Sequence, residues 1–172
     1  MYVRRKPRIH LQPLLFGGGH EHGLRAGTLA THQIVGMGQA CAIAQQVLES
    51  EAKRLLQLQQ RLWAILSRVP NIQLNGDALL RIPGNINLSI AGVDGDALIA
   101  AVPEVALSTA SACAAKSQQP SYVLQALGLT TTAAKSSLRI SLGRFTTEQE
   151  IDAAGQYLLT AIQKLREAHH GK

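Results

Sequence analysis

The fold of this 172-residue chain is decided by the stretch Asn85-Ile86-Asn87-Leu88-Ser89-Ile90, in which polar and apolar residues alternate strictly. Because successive side chains of a β-strand point to opposite faces, this alternation predicts a half-buried strand. The segment 137–142, Ser-Leu-Arg-Ile-Ser-Leu, alternates in the same way and places its three aliphatic side chains on one face. Two strands of this kind predict a sheet with one face in a core.

Helical patterns lie on both sides of these strands. Residues 31–48 and 50–68 each carry apolar side chains at helical spacing, and the two patterns can form one long helix. Cys41 lies on the apolar face of the first pattern, which predicts a buried, unreactive cysteine. A capping box from Thr147 to Glu150 opens a further amphipathic helix. We therefore predict an α/β chain in which the strands belong to a small α+β domain.

Shorter elements are predicted between the long ones. Ile72 and Leu74 lead into a turn and predict a strand, and a short helix is predicted from Asp94 or Gly95 to Ala101. Two further elements enclose an unusual segment. They are a strand over 104–107 and a helix over 121–127.

The segment Ser108–Ser117, called the cysteine loop below, surrounds one cysteine with small side chains. Alanine, serine and threonine leave the thiol unshielded, whereas a core cysteine lies more often among Leu, Ile and Val. Cys113 is therefore the predicted nucleophile. A lone arginine between serines, Arg139, is suited to hold a carboxylate in bidentate fashion. A surface arginine is the alternative that strand alternation leaves open.

The segment Phe16–Thr28, called the glycine loop below, contains five glycines. Its backbone N–H groups, Arg25 and the hydroxyl of Thr28 can together bind an anion such as a phosphate. A plain glycine-rich turn is an equal alternative. The run 20–22, His-Glu-His, suggests a metal, but no further ligand follows at a recognisable spacing, so we predict no metal site.

Charge and composition restrict the class of protein. The formal net charge is +6, and much of the excess lies in residues 4–8, but aromatic residues make up only 3% and no recognition motif is present. We therefore predict a solvated basic segment and no nucleic-acid partner. No apolar run is long enough to cross a membrane or to form a signal-peptide core. Two cysteines make no disulfide framework, so we expect a cytoplasmic protein.

Three motifs, in this order along the chain, resemble those of cysteine desulfurases of the NifS/IscS type, which are class V, fold-type I pyridoxal-phosphate enzymes. The first is the glycine loop, with Gly-Gly-Gly-His-Glu at its start. The second is Ser111-Ala112-Cys113 followed by Pro-Ser-Tyr-Val-Leu from Pro120. The third is 136–147, Ser-Ser-Leu-Arg-Ile-Ser-Leu-Gly-Arg-Phe-Thr-Thr. Together they extend through nearly the whole chain.

The resemblance implies both a domain plan and an activity. Residues 1–48 match a remnant of the large domain that binds pyridoxal phosphate and the start of a linking helix. Residues 49–172 match the C-terminal small domain, which carries the cysteine loop. The implied reaction removes sulfur from L-cysteine and gives alanine and a persulfide on Cys113.

The resemblance also implies roles and partners. Arg139 matches the residue that holds the substrate carboxylate. Thr28 matches the residue that reaches the cofactor phosphate of the neighbouring subunit, which implies a homodimer. The long cysteine loop resembles the branch that serves iron–sulfur cluster assembly, so a sulfur-acceptor or iron–sulfur scaffold protein is the implied partner.

The chain departs from the family in its lysines, because none matches the family's Schiff-base motif. The lysines are Lys6, Lys53, Lys116, Lys135, Lys164 and Lys172. We therefore expect the C-terminal part of a desulfurase, which alone binds pyridoxal phosphate poorly and releases no alanine. Two alternatives stay open: a stand-alone persulfide carrier or interaction module, and an inactive fragment.

Overall fold

The computed structural model describes residues 4–7, 9–109 and 121–170, without the side chains of 169 and 170. The chain divides into two compact units, Met1–Val47 and Leu48–Lys172. Helices α1 to α5 span Thr31–Leu66, Gly95–Ala101, Tyr122–Ala126, Thr131–Lys135 and Glu148–His170, and strands β1 to β3 span Ile72–Leu74, Asn85–Ile90 and Ser137–Ser141. The predicted mixture of helices and strands is confirmed.

The three strands form one antiparallel sheet in the order β1-β2-β3. The two segments with alternating sequence pair directly, with Leu88 opposite Leu138 and Ile86 opposite Ile140. These four side chains are buried, and they share one hydrophobic core with apolar residues of α1 and α5. Alternation in the sequence therefore identified the buried face of both strands correctly. The helical residues of this core include Leu62, Leu66, Ile151, Leu158 and Ile162.

The two long helical patterns form the single helix α1, as one of the sequence interpretations allowed. Its buried residues all lie in the last third, from Leu58 to Leu66. The prediction that Cys41 is buried was wrong, because its side chain is exposed. Met37, one turn earlier, is exposed as well. Helical spacing identifies an apolar face, but it does not determine whether another element covers that face.

Capping residues set the helix starts as the sequence predicted. Asp94 accepts hydrogen bonds at 3.0 Å from the backbone N–H groups of residues 96 and 97, which fixes the start of α2. Thr147 and Glu150 form a reciprocal capping box, with the Glu150 carboxylate accepting from the Thr147 N–H at 2.7 Å. This hydrogen bond is the main reason that the pKa of Glu150 lies below its usual value.

The predicted strand over 104–107 was wrong, and one short helix was missed. The N–H of Val105 donates to the carbonyl of Val102, so the chain turns at Pro103 instead of extending. The first pairing after this segment is made by Ser108, one residue beyond the predicted strand, which forms an isolated bridge with Arg139 of β3. Helix α4 has only five residues, too few for a helical period to show in the sequence.

A polar cluster, formed by the buried Asn75, Ser89 and Ser137 and the half-buried Asn87, connects the three strands. The side-chain N–H groups of Asn75 donate to Asn87 at 2.7 Å, to Ser89 at 2.9 Å and to Ser137 at 3.3 Å. The Ser137 hydroxyl in turn donates to the carbonyl of Ala133 at 2.7 Å. Every member has a partner, so burial of these groups carries no unpaired-donor penalty.

Replacing Asn75 by alanine should destabilise the fold by about 1–3 kcal/mol, because it removes a buried amide that satisfies several partners at once. The measurement is the free energy of unfolding in denaturant. Gln73→Ala is the matched control on β1, since Gln73 is exposed, and its effect should stay within about 0.5 kcal/mol. Equal free energies for the two variants would show that the cluster does not stabilise the sheet.

Within the described ranges, no helix combines the length and the apolar character needed to span a lipid bilayer.

Candidate active site

Arg139 lies in the middle of β3, and its backbone connects the sheet to the start of the cysteine loop. The Arg139 N–H donates to the carbonyl of Ser108 at 2.7 Å, and the Ser108 N–H donates to the carbonyl of Arg139 at 3.3 Å. Strand β2 occupies the other edge of β3. The cysteine loop therefore begins directly beside the arginine that the sequence singled out.

The guanidinium of Arg139 is half-buried, and most of its N–H donors have no partner among the described residues. Its Nη2 lies 3.5 Å from the hydroxyl oxygen of Ser108, a long hydrogen bond, and that hydroxyl donates to the carbonyl of Thr109 at 2.8 Å. Among the described residues, no carboxylate lies within ion-pair distance of Arg139, whereas Arg54 and Arg61 both have carboxylate partners. A half-buried cation with unused N–H donors is suited to bind an incoming carboxylate.

A depression of about 530 Å³ lies close to the C-terminal end of this strand. Its lining includes Ile140, Leu142 and Phe145, together with residues of α5. Arg139 is not among the residues that line this depression. The guanidinium of Arg139 and this depression are therefore separate features.

The side chain of Arg54 on α1 binds three carbonyl oxygens of the loop that follows β3. Its Nη1 donates to the carbonyl of Thr146 at 2.7 Å, and its Nη2 donates to the carbonyls of Gly143 at 3.1 Å and Arg144 at 2.6 Å. Glu51 pairs with the same guanidinium, and this hydrogen bond holds the pKa of the Glu51 carboxyl below its usual value. The contacts fix the chain path at the C-terminal end of the Arg139 strand.

The glycine loop exposes Thr28 three residues before α1. Its hydroxyl makes no hydrogen bond with any described residue, and the neighbouring Gly27 has a φ of 109°, which side chains disfavour. The guanidinium of Arg25 folds back on this segment and donates to the carbonyl of Gly27 at 3.3 Å. A free hydroxyl beside a cation fits an anionic phosphate, so Thr28 and Arg25 could hold the phosphate of a cofactor.

The described lysines do not form an enclosed site for a cofactor. All four have exposed side chains, and they are Lys6, Lys53, Lys135 and Lys164. The described part of the chain therefore offers no buried lysine amine. In the same residues, no three His, Cys, Asp or Glu side chains lie close enough together to hold a metal ion.

The predicted site residues are placed as follows. Cys113 lies outside the described residues, so only Ser108 and Thr109 of the cysteine loop have a described position. Arg139 belongs to the unit Leu48–Lys172, and Thr28 belongs to the unit Met1–Val47. The structure brings the start of the cysteine loop together with Arg139.

Two residues that shape this region were missed in the sequence. Ser108 was regarded only as the first residue of a loop, and Arg54 only as part of a helix. Both act through backbone partners distant in sequence, such as Thr146 for Arg54, so neither spacing nor composition identifies them.

Comparison with known proteins identifies the family. The pattern that defines "Aminotransferase class-V" matches residues 1–154. The cysteine desulfurase IscS of Aeromonas hydrophila is 52% identical over 167 residues, which are 97% of this chain and 41% of that protein. The chain thus spans about two fifths of the length of this relative.

Solved structures agree with this similarity. A NifS-like protein from Rickettsia africae superposes with a TM-score of 0.78 at 25% identity, over 90% of this chain and 41% of that one. Another NifS-like protein gives 0.75 at 28% identity, over 91% and 40%. Since the family pattern takes in the glycine loop, the cysteine loop and the strand of Arg139, this chain belongs to the class-V aminotransferase family.

Proposed function

We propose that this chain is the part of a cysteine desulfurase that carries the cysteine loop, and that it serves pyridoxal-phosphate-dependent removal of sulfur from L-cysteine. The observation that carries the proposal is Arg139, a half-buried cation without a described carboxylate partner, on a strand paired with the start of the cysteine loop. The relative from Aeromonas hydrophila is named a cysteine desulfurase, which favours this function over a persulfide carrier or an inactive fragment.

Arg139 binds the carboxylate of the amino-acid substrate. The two parallel N–H groups of a guanidinium match the two oxygens of a carboxylate, so binding fixes the orientation of the substrate as well as its position. Orientation matters because the sulfur of the substrate must face one attacking thiolate. The strand of Arg139 is held by β2 on one edge and by Ser108 on the other, which fixes the backbone from which the guanidinium extends.

Cys113 accepts the sulfur. When bound, pyridoxal phosphate supplies the electron sink that allows the carbon–sulfur bond of cysteine to break. The Cys113 thiolate attacks the substrate sulfur, a sulfur–sulfur bond forms, and the bond between Cβ and sulfur breaks. The electron pair left on carbon takes up a proton, and alanine leaves. Cys113 retains a persulfide, which passes to a sulfur-acceptor protein such as an iron–sulfur scaffold.

The same proposal assigns the unit Met1–Val47. We infer that Thr28 contacts the cofactor phosphate of a second subunit in a homodimer, since its hydroxyl is exposed and has no described partner. Residues 1–48 then belong to the large cofactor-binding domain and to the start of the linking helix, and residues 49–172 form the small domain. A cytoplasmic location completes the proposal.

A chimera tests this function. The segment of the Aeromonas hydrophila desulfurase that matches this chain is replaced by the chain itself, and alanine and protein persulfide are measured after L-cysteine is added. We expect both products in equal amounts, because one sulfur leaves for each alanine formed. The unaltered desulfurase is the positive control. A chimera that folds and binds pyridoxal phosphate but forms no alanine would refute the proposed function.

A further inference from the structure

We propose that Gly95 is a positioning residue: the absence of a side chain at this position lets the start of the cysteine loop stay paired with the strand of Arg139. The importance of that pairing for catalysis rests on the proposed function. The pairing itself can be measured without cofactor, substrate or activity.

Position 95 favours glycine because its neighbours leave no space for a side chain, and not because its backbone conformation disfavours one. It is the buried first residue of α2, and its φ lies outside the left-handed range. A Cβ built at this position would lie 2.8 Å from the carbonyl oxygen of Ser137, 3.0 Å from that of Lys135 and 3.1 Å from Cγ2 of Thr109. Distances below about 3.4 Å are shorter than normal carbon contacts, so at least one of these neighbours would have to move.

The three neighbours differ in how easily they can move. Ser137 is almost fully buried, pairs with Ser89 on β2, and donates to the carbonyl of Ala133 at 2.7 Å. Lys135 closes α4 directly before this strand. Thr109, in contrast, is only half-buried and follows an isolated bridge of a single residue pair. A side chain at position 95 must therefore clear both backbone carbonyls through a shift of the start of α2, and Thr109 is the neighbour that gives way to this shift.

Displacement of Thr109 acts on Arg139 through Ser108. The hydroxyl of Ser108 donates to the carbonyl of Thr109, and its backbone exchanges two hydrogen bonds with Arg139. When Thr109 moves, these bonds lengthen, and the outer edge of β3 loses its only described partner. Gly95 thus supports the position of Arg139 without touching the substrate.

Hydrogen exchange of backbone amides, followed by NMR on the whole chain, tests the proposal. We expect Gly95→Ala to speed exchange at the amides of Ser108 and Arg139 by about tenfold or more, since local opening exposes these two bonds. The amides of Leu138 and Ile140 should keep their protection. They face β2, because alternate residues of an antiparallel strand bond to opposite neighbours.

Control and rescue variants separate positioning from general loss of stability. Gly155→Ala is the matched control, because its Cβ would meet Ile65 at 2.9 Å in a different part of the core, and it should leave Ser108 and Arg139 protected. In the double variant Gly95→Ala with Thr109→Ser, the methyl group at 3.1 Å is gone. The contacts with the carbonyls of Ser137 and Lys135 remain, so we expect the protection of Ser108 and Arg139 to return in part while global stability stays lowered.

Three results would overturn the proposal. They are unchanged protection at Ser108 and Arg139 in Gly95→Ala, equal loss in the Gly155→Ala control, and failure of Thr109→Ser to restore protection. If Gly95→Ala does not fold, Thr109→Leu is the second variant, because its larger side chain fills the same space from the loop side. It should speed hydrogen exchange at the amides of Ser108 and Arg139. Unchanged protection of these two amides in Thr109→Leu would count against the proposal. Failure of the chimera to form alanine, by contrast, would refute only the desulfurase function.

Discussion

Replacing Cys113 by serine should abolish persulfide formation in the chimeric desulfurase. A serine hydroxyl is not ionised at neutral pH and cannot form the sulfur–sulfur bond, so no partial activity is expected from this group. The measurement is the added mass of one sulfur atom on the protein after incubation with L-cysteine. We expect the wild-type chimera to carry one added sulfur at position 113 and the Cys113→Ser variant to carry none.

The chain provides its own matched control in Cys41, its only other cysteine. The Cys41 thiol is exposed on α1, so accessibility alone does not distinguish it as unreactive. Cys41→Ser should nevertheless keep the full persulfide signal. A persulfide that persists in Cys113→Ser, or one that disappears in Cys41→Ser, would show that the nucleophile is assigned to the wrong residue.

Replacing Arg139 by alanine should lower kcat/KM for L-cysteine by about 30- to 1,000-fold. Losing one partner of a buried, hydrogen-bonded charge pair costs roughly 2–4 kcal/mol, and each 1.4 kcal/mol is about tenfold. Arg139→Lys keeps the charge but loses the two-pronged geometry, so an intermediate loss is expected. Steady-state kinetics of alanine formation measure both variants.

A substrate without a carboxylate shows whether Arg139 acts as proposed. Cysteamine is cysteine without this group, so the wild-type chimera should use it poorly, and Arg139→Ala should reduce its turnover little further. This comparison forms a double-mutant cycle between the side chain and the carboxylate. An equal penalty on cysteine and cysteamine would mean that Arg139 supports the fold and does not bind the carboxylate.

The parts of the fold that depend on local signals could be predicted from the sequence. Alternation placed β2 and β3 and their buried faces, and the side chains of Asp94 and Thr147 marked two helix starts. These signals act within a few residues of chain, so no knowledge of the tertiary structure is needed. They also identified Arg139 as the charged residue of its strand.

The other features of the fold depend on which distant residues contact each side chain in the folded structure. The apolar residues around Cys41 show helical spacing whether or not anything covers them, so the burial of this cysteine could not be predicted. The segment 104–107 has strand-like composition, but Pro103 and the turn at Val105 prevent pairing until Ser108. The crowding around Gly95 arises between elements more than ten residues apart, and no local pattern encodes it.

Arg54 holds the loop after β3 through carbonyl oxygens, and every residue type has a carbonyl oxygen. The path of residues 143–146 therefore depends on Arg54 and on the Thr146 hydroxyl, which accepts from the Gly143 N–H at 3.0 Å, and not on the side chain of Phe145. Phe145, which is 87% exposed, can be exchanged without changing the backbone that carries it. Evolution could in this way vary the outward chemistry of the loop while the strand of Arg139 kept its place.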